Sequence, residues 1–129
     1  MRPYEYLDHT GDLGIRVQGE ALKELFTNAA RALFETIALL DSIDDVVQVA
    51  INVKAESLEE LMVAWLDELI FRHEVDEMFF KRVEIVKMSE MQLSAVAYGE
   101  PADFGKHVVY TEVKSVTFHQ LVVEQMSDE

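Results

Sequence analysis

A seven-residue stretch near the N-terminus, Asp8-His9-Thr10-Gly11-Asp12-Leu13-Gly14, contains the side chains whose types and spacing could do chemistry. Carboxylate oxygens suit hard cations such as Mg²⁺ or Ca²⁺, so Asp8, His9 and Asp12 could together bind a divalent metal ion. Three groups in one loop are too few for a dedicated metal cage, and a further carboxylate would have to come from elsewhere. The structural alternative is that the aspartates cap turns while the glycines permit tight backbone geometry. Spacing alone leaves both interpretations open.

Other residues with possible chemical roles are scattered along the chain. His73, His107 and His119 are far apart, and a single histidine is more often structural than a ligand. Lys114 lies within a predicted strand, where it would either protect the sheet edge or contact a carboxylate or phosphate. The sequence has no glycine-rich phosphate loop, nucleophile elbow or H-E-x-x-H pattern. Because these catalytic motifs are absent, the sequence does not predict an enzyme of the classes that use them.

Two short strands, over residues 3–7 and 15–17, are predicted to hold the seven-residue loop, because apolar and polar residues alternate there. Apolar residues at intervals of three and four predict a helix over residues 20–40 and another over 58–73. In the second helix, Ser57 and Glu60 have the form of a capping box, and Trp65 is expected in the core. Further strands are predicted over 47–54, 79–87, 92–98 and 113–125, with a loop over 99–106.

This order of elements lacks the regular alternation of a doubly wound fold. It predicts one α+β domain over residues 1–129, with two helices packed on a mostly antiparallel sheet. Half of the 129 residues are apolar, which is typical of a globular chain. The absence of cysteine excludes disulfides and thiolate metal sites. With no apolar leader and no run long enough to span a bilayer, we expect a soluble, cytoplasmic protein without membrane contact.

The chain is strongly acidic, with 11 basic against 25 acidic residues and a net charge of −14. Such a surface would repel phosphate backbones, so direct nucleic-acid binding is not expected. A basic protein partner, such as an enzyme whose own surface binds RNA, would complement this charge. Solubility alone also explains an acidic surface.

Three segments resemble the archease family in the order in which that family has them. Residues 8–16 (DHTGDLGIR) are similar to its H-T-A-D-[IV]-G-I signature, 97–100 (AYGE) to A-x-G-E, and 113–119 (VKSVTFH) to V-K-A-[IV]-T-Y-H. Small departures are Gly11 and Ser115 in place of alanine and Phe118 in place of tyrosine. With both helices at the expected places, the resemblance spans nearly the whole chain and implies an archease-like fold.

The resemblance implies a protein cofactor and not an enzyme. Archeases activate the GTP-dependent RNA ligase that joins tRNA exons, by promoting guanylylation of the active-site histidine of the ligase and its multiple turnover. The family's metal-site aspartate falls on Asp12, with Asp8 and His9 as further candidate ligands. A functionally important lysine falls on Lys114, and His119 is a candidate partner-contact residue in the same segment.

The family's second metal-site aspartate lies in a further C-terminal strand with a V-x-F-D-[IV]-like ending. The sequence runs to Met126-Ser127-Asp128-Glu129 without that ending, so we expect weak binding of a divalent metal (Ca²⁺, Mg²⁺ or Mn²⁺) and weak coactivation. The leading hypothesis is an archease-like coactivator of an RNA ligase in tRNA splicing or RNA repair. The alternative is a divergent binding or chaperone-like module that retains the fold without ligase activation. A stand-alone metal-dependent hydrolase lacks a second carboxylate cluster and an evident base.

Overall fold

A computed structural model describes residues 4–9, 12–17, 21–103 and 105–110, with the backbone alone for the first two ranges. Within these ranges, two strands precede a helix, a short 3₁₀ turn, a strand, a second helix and two final strands. In chain order they are β1 (Tyr4–His9), β2 (Asp12–Val17), α1 (Leu22–Ile37), the 3₁₀ turn (Leu40–Ser42), β3 (Val47–Lys54), α2 (Leu58–Val75), β4 (Met78–Met88) and β5 (Gln92–Pro101).

The strands form two antiparallel groups. β1 pairs with β2, whereas β5 lies between β3 and β4 in a three-stranded sheet of order β3-β5-β4. α1 packs mainly against β4 and also contacts β1 and β2, and α2 packs against β3 and β4. This arrangement confirms the predicted α+β architecture of two helices on an antiparallel sheet. None of the helices in the described residues is long and apolar enough to cross a membrane.

The core lies between the two helices and the inner face of the sheet. The predicted apolar face of α1 is buried from Leu25 to Ile37, and α2 buries five of the six residues predicted for its inner face, with Leu66 half-buried. Trp65 is fully buried, and its indole Nε1 donates a hydrogen bond of 2.9 Å to the Phe26 carbonyl. A buried indole N–H needs such a partner, so Trp65 joins α2 to α1 by both packing and hydrogen bonding.

The capping box at the start of α2 forms in a slightly shifted version. Ser57 Oγ accepts a 3.2 Å hydrogen bond from the Glu60 N–H, as predicted. The Glu60 carboxylate in turn accepts from the N–H of Glu56, at 3.3 Å, and not from that of Ser57. The bond from Glu60 N–H satisfies one backbone donor that the first helical turn leaves without an intrahelical partner, and the bond from Glu56 satisfies the donor just before the N-cap residue.

Two loops are shorter in the structure than the sequence predicts. β1 and β2 extend through most of the predicted loop over residues 8–14 and leave only residues 10–11 between them, because the antiparallel pairing continues to the end of both strands. β5 continues through Pro101, although residues 99–106 were predicted as a loop from their Gly and Pro content. Gly99 instead pairs with Phe80 of β4 and Val47 of β3.

The glycine at position 99 is required by the close approach of β4. A Cβ atom placed there would collide with the backbone carbonyl oxygen of Phe79 and would approach the Cα of Phe80 to 2.8 Å. The ladder shifts register between Phe80 and Arg82, directly beside this contact. Glycine in a strand interior commonly marks such a close backbone approach.

α1 ends earlier than predicted, at Ile37 and not near residue 40. Its continuation pairs with a distant segment: Leu39 N–H donates to the Val108 carbonyl and Tyr110 N–H donates to the Ile37 carbonyl, both at 2.8 Å. Ala38 and Val109 form an isolated antiparallel bridge between these bonds. The strand predicted over residues 113–125 lies outside the described residues.

Candidate functional site

The paired ends of β1 and β2 hold the residues predicted to bind metal. The backbone register places His9 directly opposite Asp12, at the last cross-strand position before the two-residue connection, and Asp8 opposite Leu13 at the next position. Cα atoms of such opposing residues lie about 4.5–5.5 Å apart in antiparallel pairs. The fold therefore gathers Asp8, His9 and Asp12 at one hairpin end, which we call the hairpin tip.

The donor set of the hairpin tip suits a hard divalent cation in chemical type. It has two carboxylates and one imidazole at neighbouring register positions, whereas Mg²⁺ and Ca²⁺ take six or more oxygen ligands that usually include water. Among the side chains described at 21–103 and 105–110, no group of three His, Asp or Glu residues could hold a metal ion. Lys114 and His119 lie outside the described residues, so their roles remain predictions.

A different polar cluster, which no sequence pattern predicts as a site, lies where β5 ends. The Glu100 carboxylate accepts hydrogen bonds from the Asp44 backbone N–H at 3.0 Å and from His107 Nε2 at 2.6 Å. Lys106 Nζ lies 2.8 and 3.0 Å from its two oxygens and also donates to the Asp44 carboxylate at 2.6 Å. We call these four residues the Glu100 cluster.

Hydrogen bonding stabilises the ionised form of Glu100. The bond from Lys106 contributes most, followed by those from the Asp44 backbone and His107, and together they lower the pKa of Glu100 from 4.5 to about 2. The same contacts, to Asp44 and then Glu100, raise the pKa of Lys106. Glu100 is therefore an anion at every pH near neutrality.

The His107 ring is a satisfied structural histidine. Its side chain is fully buried, and its Nδ1 accepts a 2.9 Å hydrogen bond from the Asp103 N–H. Because Nδ1 is an acceptor, the ring proton lies on Nε2 and is donated to Glu100 in the neutral imidazole. The ring meets Phe79 edge-on, with centroids 4.8 Å apart. His73 lies on the same Phe79 ring at 5.2 Å and contacts the Met78 carbonyl through Nδ1 at 2.7 Å.

The Glu100 cluster joins three segments that are distant in sequence. It connects the residues before β3, through Asp44, to the end of β5 and to the turn over residues 103–107. Residues 108–110 then continue alongside residues 37–39. The cluster therefore fixes the backbone that immediately precedes the segment containing Lys114. Within the AYGE segment, Gly99 and Glu100 both have structural explanations, but the segment does not indicate the contacts of Glu100 with Asp44 and His107.

The described architecture defines an α+β protein with two helices on an antiparallel sheet and a separate N-terminal hairpin of acidic character. Residues 4–129 match the model of the archease protein family (MTH1598/TM1083). The chain belongs to the archease family, which confirms the resemblance noted in its sequence segments.

Named relatives cover nearly the whole chain. It is 38% identical over 126 residues to "Protein archease" of Methanopyrus kandleri, covering 95% of this chain and 90% of the relative. The archease of Methanosarcina acetivorans is 39% identical over 131 residues, covering 98% and 90%. The solution structure of Methanobacterium thermoautotrophicum protein 1598 matches with a TM-score of 0.76 and 32% identity, over 97% of this chain and 93% of that one. Family membership supports a cofactor role in tRNA splicing, alongside an RNA ligase.

Proposed function

We propose that this chain is a protein coactivator of an RNA ligase in tRNA splicing or RNA repair, which promotes guanylylation and turnover of the ligase through its hairpin tip. The observation that carries the proposal is the family match over residues 4–129, which includes the hairpin and the AYGE segment. In this proposal the protein binds the ligase and assists its reaction, and does no chemistry on RNA itself.

The hairpin tip supplies the carboxylates of the proposed mechanism. Asp12 is the main candidate metal ligand, with Asp8 and His9 as further candidates from the adjacent register positions. A divalent cation bound there would supply positive charge beside the transferring nucleotide phosphate. Asp12 begins β2 and is paired with His9, so in this proposal it would be presented to the partner from the end of a paired strand.

The overall charge supports a protein partner with a basic surface. A net charge of −14 would oppose binding of the chain to RNA but would steer it toward the Lys- and Arg-rich surface of an RNA-binding enzyme. In this proposal, Lys114 and His119 contribute contacts to the ligase from the last segment of the chain, where a lysine would pair with a phosphate or carboxylate.

A guanylylation assay on the purified ligase, with and without this chain, tests the proposal. The wild-type chain should raise the rate of guanylylation and the number of turnovers, and Asp12→Ala should remove most of this gain while the unfolding midpoint changes little. Asp41→Ala, at an exposed aspartate of the 3₁₀ turn, is the matched control and should activate fully.

The outcomes also separate the alternatives. Full activation by Asp12→Ala, together with a large loss of stability, would favour a turn-capping role for this aspartate. A wild-type chain that leaves guanylylation unchanged would overturn the coactivator proposal and favour a binding or chaperone-like module with the same fold.

A further inference from the structure

The second half of α2 carries two exposed apolar side chains on its outward side, in addition to the apolar residues of its inward side. Phe71 is 51% exposed and Val75 is 61% exposed, and the two lie one helical turn apart. α1 differs, because its large apolar side chains are buried or half-buried on one face. A surface helix of a globular protein usually confines its large apolar residues to the face toward the core. The core is the partner of the inward side, and the outward side has none among the described residues.

Acidic residues surround the outward apolar pair. The helical neighbours of Phe71 at three and four positions are Asp67, Glu68, Glu74 and Val75, so three of the four are acidic. Glu68 is paired with Arg72 at 2.9 Å. Asp67 and Glu74 have no cationic partner within the described part of the chain. We call Asp67, Phe71, Glu74 and Val75 the α2 outer patch.

Partial burial raises the pKa of Asp67. Asp67 is nevertheless exposed, and a lysine or arginine from a partner would stabilise its charged form. An apolar centre bordered by carboxylates therefore has the composition of an interface for a surface that is apolar in the middle and basic around it.

We infer that the α2 outer patch is a docking surface for a basic region of the RNA ligase, an inference that rests on the proposed function. The ligase binds RNA phosphates and must therefore present Lys and Arg side chains, which complement Asp67 and Glu74. A second copy of this chain is a poor occupant, because a symmetric contact would set the same carboxylates against each other. Nucleic acids and anionic membranes would be repelled for the same electrostatic reason.

The two kinds of residue have different roles in this contact. Phe71 and Val75 lose water-exposed apolar surface when the partner binds, and such central residues determine how long the complex lasts. Asp67 and Glu74 lie at the border, where charges act mainly on the association rate and its dependence on salt. Apolar substitutions in the patch should therefore act mainly on the lifetime of the complex, and charged substitutions mainly on the association rate and its dependence on salt.

Affinity of the full chain for the purified ligase, measured by titration at two salt concentrations, tests the inference. The double substitution Phe71→Ala and Val75→Ala should weaken binding about tenfold or more. Alanine favours helix, so α2 should keep its fold. The matched control is Val86→Ala with Met91→Ala, which removes two apolar side chains of similar exposure, 57% and 59%, and should bind as the wild type does.

Charge reversal tests the border of the patch without altering Phe71. Asp67→Lys with Glu74→Lys should slow association and reduce the loss of affinity on adding salt. The control, Glu56→Lys with Glu90→Lys, changes the net charge equally at exposed positions. Glu56 lies before the start of α2, about 20 Å from Phe71 at 1.5 Å per helical residue.

If the wild-type chain activates the ligase and both patch variants bind that ligase as tightly as the wild type does, this inference is overturned and the proposed function is not. A wild-type chain that neither binds nor activates the ligase would overturn the proposed function together with it. Self-association that depends on Phe71, measured by sedimentation, would overturn the ligase as the occupant of the patch.

Discussion

The Nε2 atom of His107 lies 2.6 Å from Oε1 of Glu100, while Nδ1 of the same ring accepts the Asp103 N–H. The imidazole thus joins the end of β5 to the turn that follows it, without an ionised ring. Lys106 supplies the positive charge that balances Glu100. In this cluster the hydrogen-bonding role of the histidine and the charge of the lysine are separate, so each contribution can be measured by substitution.

The low pKa of Glu100 predicts a specific loss of stability in acid. Its pKa is about 2 in the folded chain against an ordinary 4.5, so its ionised form favours folding above about pH 4.5. This contribution should disappear as the pH falls from about 4.5 toward 2. Glu100→Gln should flatten that part of the curve of unfolding free energy against pH, whereas Glu90→Gln, at an exposed turn residue, should leave it as in the wild type. Equal slopes for wild type and Glu100→Gln would contradict the assigned hydrogen bonds.

Gly99→Ala should destabilise the fold because the added methyl collides with the Phe79 backbone, which cannot rotate away. Overpacking of this kind costs about 1–3 kcal/mol or more. Gly105→Ala is the control, since among the described residues its Cβ would meet only the Asp103 carboxylate, at 3.4 Å. Denaturant unfolding of both variants measures the difference, and equal stability would show that β4 and β5 can separate locally.

Trp65→Ala should reduce the free energy of unfolding by about 3–5 kcal/mol, because it leaves a large cavity between α1 and α2. Trp65→Phe retains much of the ring but leaves the Phe26 carbonyl without its indole donor, and should cost about 1–3 kcal/mol. Denaturant unfolding followed by circular dichroism gives both values. A loss below about 1 kcal/mol for the alanine variant is incompatible with a fully buried indole.

Lys114→Ala should weaken ligase activation more than it changes stability, if its ammonium pairs with a phosphate or carboxylate of the complex. Lys114→Arg keeps the charge and tests whether the charge alone is sufficient. Guanylylation rates and unfolding midpoints of the two variants provide the comparison. Wild-type activation by Lys114→Ala would reduce this residue to a lysine that protects a strand edge.

Periodic apolar spacing predicted both helices and the alternating strand over residues 47–54, because burial on one face requires that spacing in any fold. Trp65 and the Ser57–Glu60 cap were predicted for the same reason, since the forces involved act within one helix or between an apolar face and the core. The three family-like segments, over residues 8–16, 97–100 and 113–119, together predicted the correct family. The roles proposed from that resemblance for Asp12, Lys114 and His119 remain predictions.

Long-range contacts decided what spacing could not. Gly99 had the sequence properties of a loop residue, yet it lies in β5 and pairs with β4. It is a glycine because the backbone of β4 approaches this position too closely for any side chain. Likewise, nothing local to Asp44, Glu100 or His107 indicates that they meet. Asp44 and His107 are 63 positions apart in the sequence, and Asp44 reaches Glu100 only because β3, which follows Asp44, pairs with β5. Local periodicity determined the elements of this protein, and the tertiary structure alone decided which polar side chains share a charge network.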